Sequence, residues 1–177
     1  MKQTEDYIRG LAYNAHIVKG DLDAGLDFPD QKILKIGELT IGLIHGHQIV
    51  PWGDSAILAN HARAIGVDIL VHGHSHAAEI LKAEGNGAAP SKSAASNAAI
   101  IDSSSSSSSS SSAAASSPST LLLNPGSLTG AYSPFTTQII PSFFVLAISG
   151  PSVLIYQYEI LQGQEVTVTK TEWKKTK

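Results

Sequence analysis

A chain of 177 residues without a cysteine has no disulfide framework and no thiolate zinc site, so any metal must sit on His, Asp, Asn or water. Its 12 basic and 15 acidic residues leave a net charge of -3, which gives no global electrostatic case for nucleic acid or an anionic membrane. No apolar run reaches the roughly 20 residues of a transmembrane helix, and the polar start Met1-Lys2-Gln3-Thr4-Glu5-Asp6 does not read as a signal peptide, so a soluble intracellular protein is expected.

Residues 6–11 read as the tail of a helix, and Ala15-His16-Ile17-Val18 as a short buried strand that Gly20-Asp21-Leu22-Asp23 breaks into a loop. Residues 31–36 alternate polar and apolar, Gly37-Glu38 turns, and 39–44 form an apolar run ending on His45, which predicts two adjacent strands. A second loop covers 46–54. Asp54 and Ser55 then offer an N-cap, Ile57, Leu58 and Ile65 recur near helical spacing, and Gly66 supplies the stop, predicting a helix over 55–65. Residues 67–71 read as the next buried strand, running into His72-Gly73-His74-Ser75-His76, and 79–82 begin another.

Residues 85–119 are dominated by Ala, Ser, Gly and Pro, with an unbroken serine run over 103–112 and little that is large enough to bury. They are expected to be a disordered loop inserted into one domain made of residues 1–84 and 120–177, about 140 residues and enough for a single core. Leu121-Leu122-Leu123 resumes the sheet before Asn124-Pro125-Gly126, and strand-like stretches follow over 143–148, 153–161 and 166–173. The pattern is α/β first and antiparallel β afterwards.

Three loops each follow an apolar strand and deliver polar groups at its end: Asp21 and Asp23, then His45 and His47, then His74 and His76. In open α/β sheets ligands gather at such strand ends, because the loops converge there while the strands fix their bases. Glycines (Gly20, Gly46, Gly73) let the backbone turn tightly around an ion. Two imidazoles separated by one residue in a loop can meet one metal cluster, and a second such pair plus an aspartate loop strengthens the pattern. The remaining histidines read as structural: His61 flanks the packed face of a helix, His16 sits in a strand, and His72 ends one.

In order and form, Gly20-Asp21-Leu22-Asp23, Gly42-Leu43-Ile44-His45-Gly46-His47, Gly73-His74-Ser75-His76 and Asn124-Pro125-Gly126-Ser127 resemble the calcineurin-like metallophosphoesterases. More narrowly, His16-Ile17-Val18-Lys19-Gly20-Asp21, the stretch from His45 through Pro51-Trp52-Gly53-Asp54, and the stretch from Asn124 to Tyr132 resemble the family of small retromer subunits. The resemblance implies a four-layer α/β/β/α sandwich with a two-metal site at the strand ends. It makes Asp21, His45 and His74 ligands of one metal and His76 a ligand of the other, with Asp23 a nearby acidic group. Active members of the superfamily carry Asn-His after the loop glycine, the asparagine a ligand and the histidine the proton donor. Here those places hold Asp21 and Leu22, and an aliphatic side chain cannot supply general-acid catalysis, typically worth about 10²–10⁴-fold. The superfamily's first strands, with an Asp-x-His motif and a bridging ligand, are expected to be missing from this chain, so at most one weak zinc or manganese ion is implied and apolar sheet surface is left bare.

The same resemblance implies partners. The face around the metal site would dock the large α-solenoid subunit of retromer, with Ile49 and Val50 as contacts beside His45 and His47 and Trp52 turned into the core. A second surface would receive hydrophobic loops of Rab GTPase-activating proteins and ankyrin-repeat regulators at Val145, Tyr156, Tyr158 and Val168. A non-catalytic scaffold, held peripherally on the cytosolic side of the endosome membrane, is the leading expectation. The alternative is an active metal-dependent phosphodiesterase.

Overall fold

The structure is a computed structural model that describes residues 2–83, 91–92, 119–137, 140–161 and 165–176. In chain order the elements are α1 (Lys2–Leu11), β1 (Gln31–Ile36), β2 (Leu39–Ile44), α2 (Ser55–Ala64), β3 (Ile69–Val71), β4 (Ala78–Ala83), β5 (Ser91–Lys92), β6 (Thr120–Pro125), β7 (Ser142–Ser149), β8 (Ser152–Ile160) and β9 (Val166–Lys174).

Six strands form one mixed sheet in the order β1-β2-β3-β6-β4-β5. The β1–β2 hairpin turns at Gly37, whose φ of 60° is the left-handed conformation a tight turn asks for. β2, β3 and β6 run parallel, which places their C-terminal ends on one edge of the sheet. These three are apolar almost without interruption because both their faces are covered. Leu70 and Leu122 point to α2, in a core with Ile44, Leu58, Ala62 and Leu81. Leu39, Ile41, Ile69, Leu121 and Leu123 point the other way, onto Val153, Ile155 and Trp173 of the second sheet.

That second sheet is the antiparallel meander β7-β8-β9. The helix on the large sheet is fixed at its start by Asp54, whose Oδ1 accepts from the amides of Ala56 and Ile57 at 2.9 and 3.0 Å. Gly42 lets it approach closely, since a Cβ there would meet Ile65, Val67 and Leu70 at 3.2 Å. The result is α2, the six-stranded sheet and the three-stranded sheet in layers, of the expected α/β class. Among the described residues no helix packs on the outer face of the small sheet, where Val145, Val166 and Val168 stay about half exposed.

One expectation is corrected, and another lies almost wholly outside the described residues. Residues 15–18 are not a strand; they are extended chain between α1 and the first loop, because among the described residues no neighbouring strand is placed to accept their backbone bonds. Of the expected disordered insert at 85–119, only 91–92, paired antiparallel with Leu81 and Lys82, and 119 are described; the rest lies outside the described residues.

Candidate metal centre

The C-terminal ends of β2, β3 and β6 carry three of the loops that build the site, and a fourth, the first in chain order at 20–23, follows residues 15–18. The first loop is tied by Asp23, whose Oδ2 accepts from the Gly20 amide at 2.9 Å, so Asp23 shapes the turn while Asp21 keeps a free carboxylate. The second and third loops are tied to each other: the Gly73 amide donates to the His45 carbonyl at 2.9 Å. Gly46, at φ 107°, passes so near Gly73 that a Cβ would sit 3.0 Å from its carbonyl oxygen. In the third loop His74 and His76 hold left-handed φ values of 70° and 58°, a conformation that side chains rarely take and that clusters at functional sites. Asn124, fully buried at the end of β6, holds that loop in place by donating to Ser75 Oγ at 2.7 Å and accepting from the Gly126 amide at 3.0 Å.

Three of the sequence-expected ligands converge. His45 Nδ1 and His74 Nδ1 each lie 3.9 Å from the Asp21 carboxylate, and one donor atom from each of the three residues falls within 4.8 Å of the other two. These separations are too long for direct hydrogen bonds. They are close to what a metal needs: bonds of about 2.0–2.2 Å place tetrahedral donors about 3.4 Å apart, so the 3.9 Å pairs close by about 0.5 Å. The other ring nitrogen of His74, Nε2, is buried without a hydrogen-bond partner among the described residues, while Nδ1 is the atom turned to Asp21. The donor set therefore fits a zinc- or manganese-sized cation with open positions for water.

The electrostatics suit that chemistry. Burial holds the His45 pKa below its usual value; the Asp21 carboxylate opposes the shift, while His47 and His74 add to it. His45 is thus neutral near pH 7 with a lone pair to offer. That lone pair is contested, because His47 Nδ1 sits 3.0 Å from His45 Nδ1. Behind the loop, burial pushes His72 down to about 4, against the pull of Glu79 and of the hydrogen bond with the Gly73 backbone.

His76 lies outside this group of three, as expected of a residue assigned to a different metal. Its Nδ1 donates to the Ala131 carbonyl at 3.0 Å, the kind of bond that orients an imidazole and leaves Nε2 as its donor. Trp52 corrects an expectation: it is not core but 47% exposed, set edge-on against the His74 ring at 4.6 Å and against Phe135 at 5.7 Å, with its indole N–H on the His47 carbonyl at 3.0 Å. Ile49 is buried at 7% beside Leu58 and Ile44, so it offers little to a partner; the 46–54 loop folds it under and leaves its neighbour Val50 69% exposed. Val50 borders an open groove of about 430 Å³ that includes Gln48, Ile57 and His61.

On the small sheet, Val145 pairs with Tyr156 and Tyr158 with Val168 across the strands, so all four expected residues share the outer face. Phe143 joins them, stacked on Tyr158 with ring centres 4.9 Å apart and planes 2° from parallel. The reading from sequence missed Phe143 and Phe135. Phe143 had a signal, its two-residue offset from Val145; Phe135, in a loop, had none.

Comparison with known proteins matches the calcineurin-like phosphoesterase superfamily domain over residues 2–150. Vacuolar protein sorting-associated protein 29 of Schizosaccharomyces pombe is 25% identical over 174 residues, covering 96% of this chain and 74% of its own. Among solved structures, the Vps29 single mutant from Entamoeba histolytica is 34% identical with a TM-score of 0.73, covering 97% of this chain and 76% of that one. Wild-type Vps29 from the same organism, complexed with zinc, is 35% identical with a TM-score of 0.71 and the same coverage. Vacuolar Protein Sorting 29 from Cryptosporidium parvum is 30% identical with a TM-score of 0.73, covering 98% and 77%. The chain belongs to the Vps29 family within the calcineurin-like phosphoesterase superfamily.

Proposed function

We propose that this chain is a non-catalytic scaffold subunit of retromer, acting in endosome-to-Golgi and recycling transport. The observation that carries the proposal is the company the donor set keeps. Asp21, His45 and His74 converge, but the residue that follows Asp21 is Leu22, 79% exposed and unable to move a proton, and Val50 and Trp52 stand exposed at the same end of the sheet. Apolar side chains around a polar centre make an interface core, where burial contributes about 25 cal/mol per Å². The large α-solenoid subunit would dock there, with Val50 as the principal aliphatic contact. Regulators of the Rab GTPase-activating and ankyrin-repeat kinds would take the outer face at Val145, Tyr156, Tyr158 and Val168. Membrane association on the cytosolic side of the endosome then follows from these partners.

Asp21, His45 and His74 would hold a zinc or manganese ion, whose chemistry is that of a Lewis acid. Through these three residues a bound ion would tie the three loops together and steady the docking face without any turnover. Phosphoryl transfer is disfavoured because Leu22 leaves the departing oxygen without a proton. An active phosphodiesterase is the second reading, favoured only by the convergence of the three donors. The two are separated by incubating the full chain with a bis-aryl phosphate and manganese. No turnover above the protein-free rate is expected; hydrolysis that disappears in His74→Ala would replace the scaffold with the enzyme.

A further inference from the structure

A histidine that binds a metal through one ring nitrogen normally donates the N–H of the other to a carbonyl, a carboxylate or water, and that bond fixes both the tautomer and the direction of the ring. His76 has such a partner in the Ala131 carbonyl, 3.0 Å from its Nδ1. His74 is different. Among the described residues its Nδ1 stops 3.9 Å from the Asp21 carboxylate, too far for a hydrogen bond, and its Nε2 is buried with no partner. Its side chain is nonetheless only 14% exposed, on a backbone turned to φ 70°. A left-handed histidine persists only where its surroundings hold it.

Those surroundings are aromatic. The Trp52 ring lies 4.6 Å from the His74 ring at 71°, the arrangement in which the edge of one ring meets the face of the other. Phe135 stands 6.3 Å from His74 and 5.7 Å from Trp52, at 89° to the latter. Trp52 is itself anchored, because its indole N–H donates to the His47 carbonyl at 3.0 Å. The three rings come from the loops after β2, β3 and β6, so Trp52 joins the first of these loops to the other two.

An aromatic face is negative and accepts an N–H in place of an oxygen, more weakly. For a buried N–H with no oxygen or nitrogen partner, in a ring that meets an indole edge to face, that surface is the acceptor at hand. We infer that Trp52 is a positioning residue of the metal centre: its ring receives the His74 Nε2–H, which fixes the imidazole in the tautomer whose Nδ1 lone pair is turned to Asp21. Where other metal-binding histidines use a carbonyl, this one uses a ring, which also keeps water away from Nε2. The consequence for zinc rests on Asp21, His45 and His74 being the donor set, as in the proposed function; the consequence for the ring itself does not.

The test therefore reads the ring first. In proton–nitrogen correlation spectra of the metal-free full chain, assigned with His74→Gln, His74 should carry its proton on Nε2, and that proton should resist exchange with water and be shifted upfield by the indole. Trp52→Leu, which keeps an apolar side chain without the ring, should lose the signal to exchange, and Trp52→Phe should keep it. Trp52 is half exposed, so both variants should fold. A zinc series followed by melting temperature should then show affinity lowered roughly three- to tenfold in Trp52→Leu and restored to within about twofold in Trp52→Phe. A parent chain protonated on Nδ1, or a Nε2–H signal and zinc affinity unchanged in Trp52→Leu, overturns the inference. Absence of a zinc shift from every protein, the parent included, would remove the donor set instead, and the ring spectra would still decide the role of Trp52.

Discussion

Zinc should stabilise this fold, by an amount set by its concentration relative to its dissociation constant. Added at one hundred times its dissociation constant, an ion that binds only the folded chain contributes about 2.7 kcal/mol. At about 2–4 °C per kcal/mol for a domain of this size, the melting temperature rises by about 5–11 °C. Asp21 is the perturbation of choice: its side chain is 43% exposed, so Asp21→Ala should leave the metal-free melt unchanged and remove the shift. His47 gives the finer test. Its ring shares a hydrogen bond with His45 Nδ1, the atom turned toward Asp21, and such a bond is worth about 1 kcal/mol. His47→Ala therefore frees the donor, and zinc affinity measured by the concentration dependence of the melt should rise about fivefold. Scanning fluorimetry of the three proteins against a zinc series supplies every number. If Asp21→Ala keeps the full shift, or if His47→Ala abolishes it, the assignment of Asp21, His45 and His74 as the donor set is wrong.

Two further outcomes follow from buried groups. His72 is 5% exposed with its pKa lowered by burial from an ordinary 6.5 to about 4, so the unfolded chain takes up the proton first as pH falls. The stability this neutral ring confers is complete above pH 6.5 and drains away between 6.5 and 4, by about 3 kcal/mol. Urea titrations at stepped pH should show that loss in the parent chain and its absence in His72→Leu; a difference curve flat with pH contradicts it. Gly126 sits at φ 79° with no room for a side chain, because a Cβ would overlap Ser142 Oγ, itself committed to the Pro125 carbonyl at 2.7 Å. Gly126→Ala should cost about 2–4 kcal/mol in the same titration, and a cost below about 0.5 kcal/mol would mean the turn relaxes freely.

Much of this molecule is legible in its sequence because burial is local in period. The apolar runs of β2, β3 and β6 announce strands covered on both faces, whereas in β7, just as apolar in sequence, only the structure shows that burial alternates and one face is covered. Asp21, His45 and His74 could be named because each ends such a strand or lies in the loop that follows an apolar stretch. What the sequence hides is set by contacts between distant segments. Whether Ile49 or Val50 faces out depends on how the 46–54 loop lies over α2, and how the His76 ring is oriented depends on where Ala131 brings its carbonyl, 55 positions away. The same holds for residues 15–18. Their apolar character predicts a strand, but a strand needs a neighbour, and none is placed beside them among the described residues.

Calorimetric titration of this chain into the large α-solenoid subunit of retromer tests the scaffold most directly. Val50, 69% exposed, contributes most of the roughly 1.5–3 kcal/mol that burying such a side chain supplies, and Val50→Asp adds the cost of desolvating a charge. The parent chain should bind and Val50→Asp should bind roughly a hundredfold more weakly with its melt unchanged. Equal affinities, or no binding by the parent chain, would contradict the account.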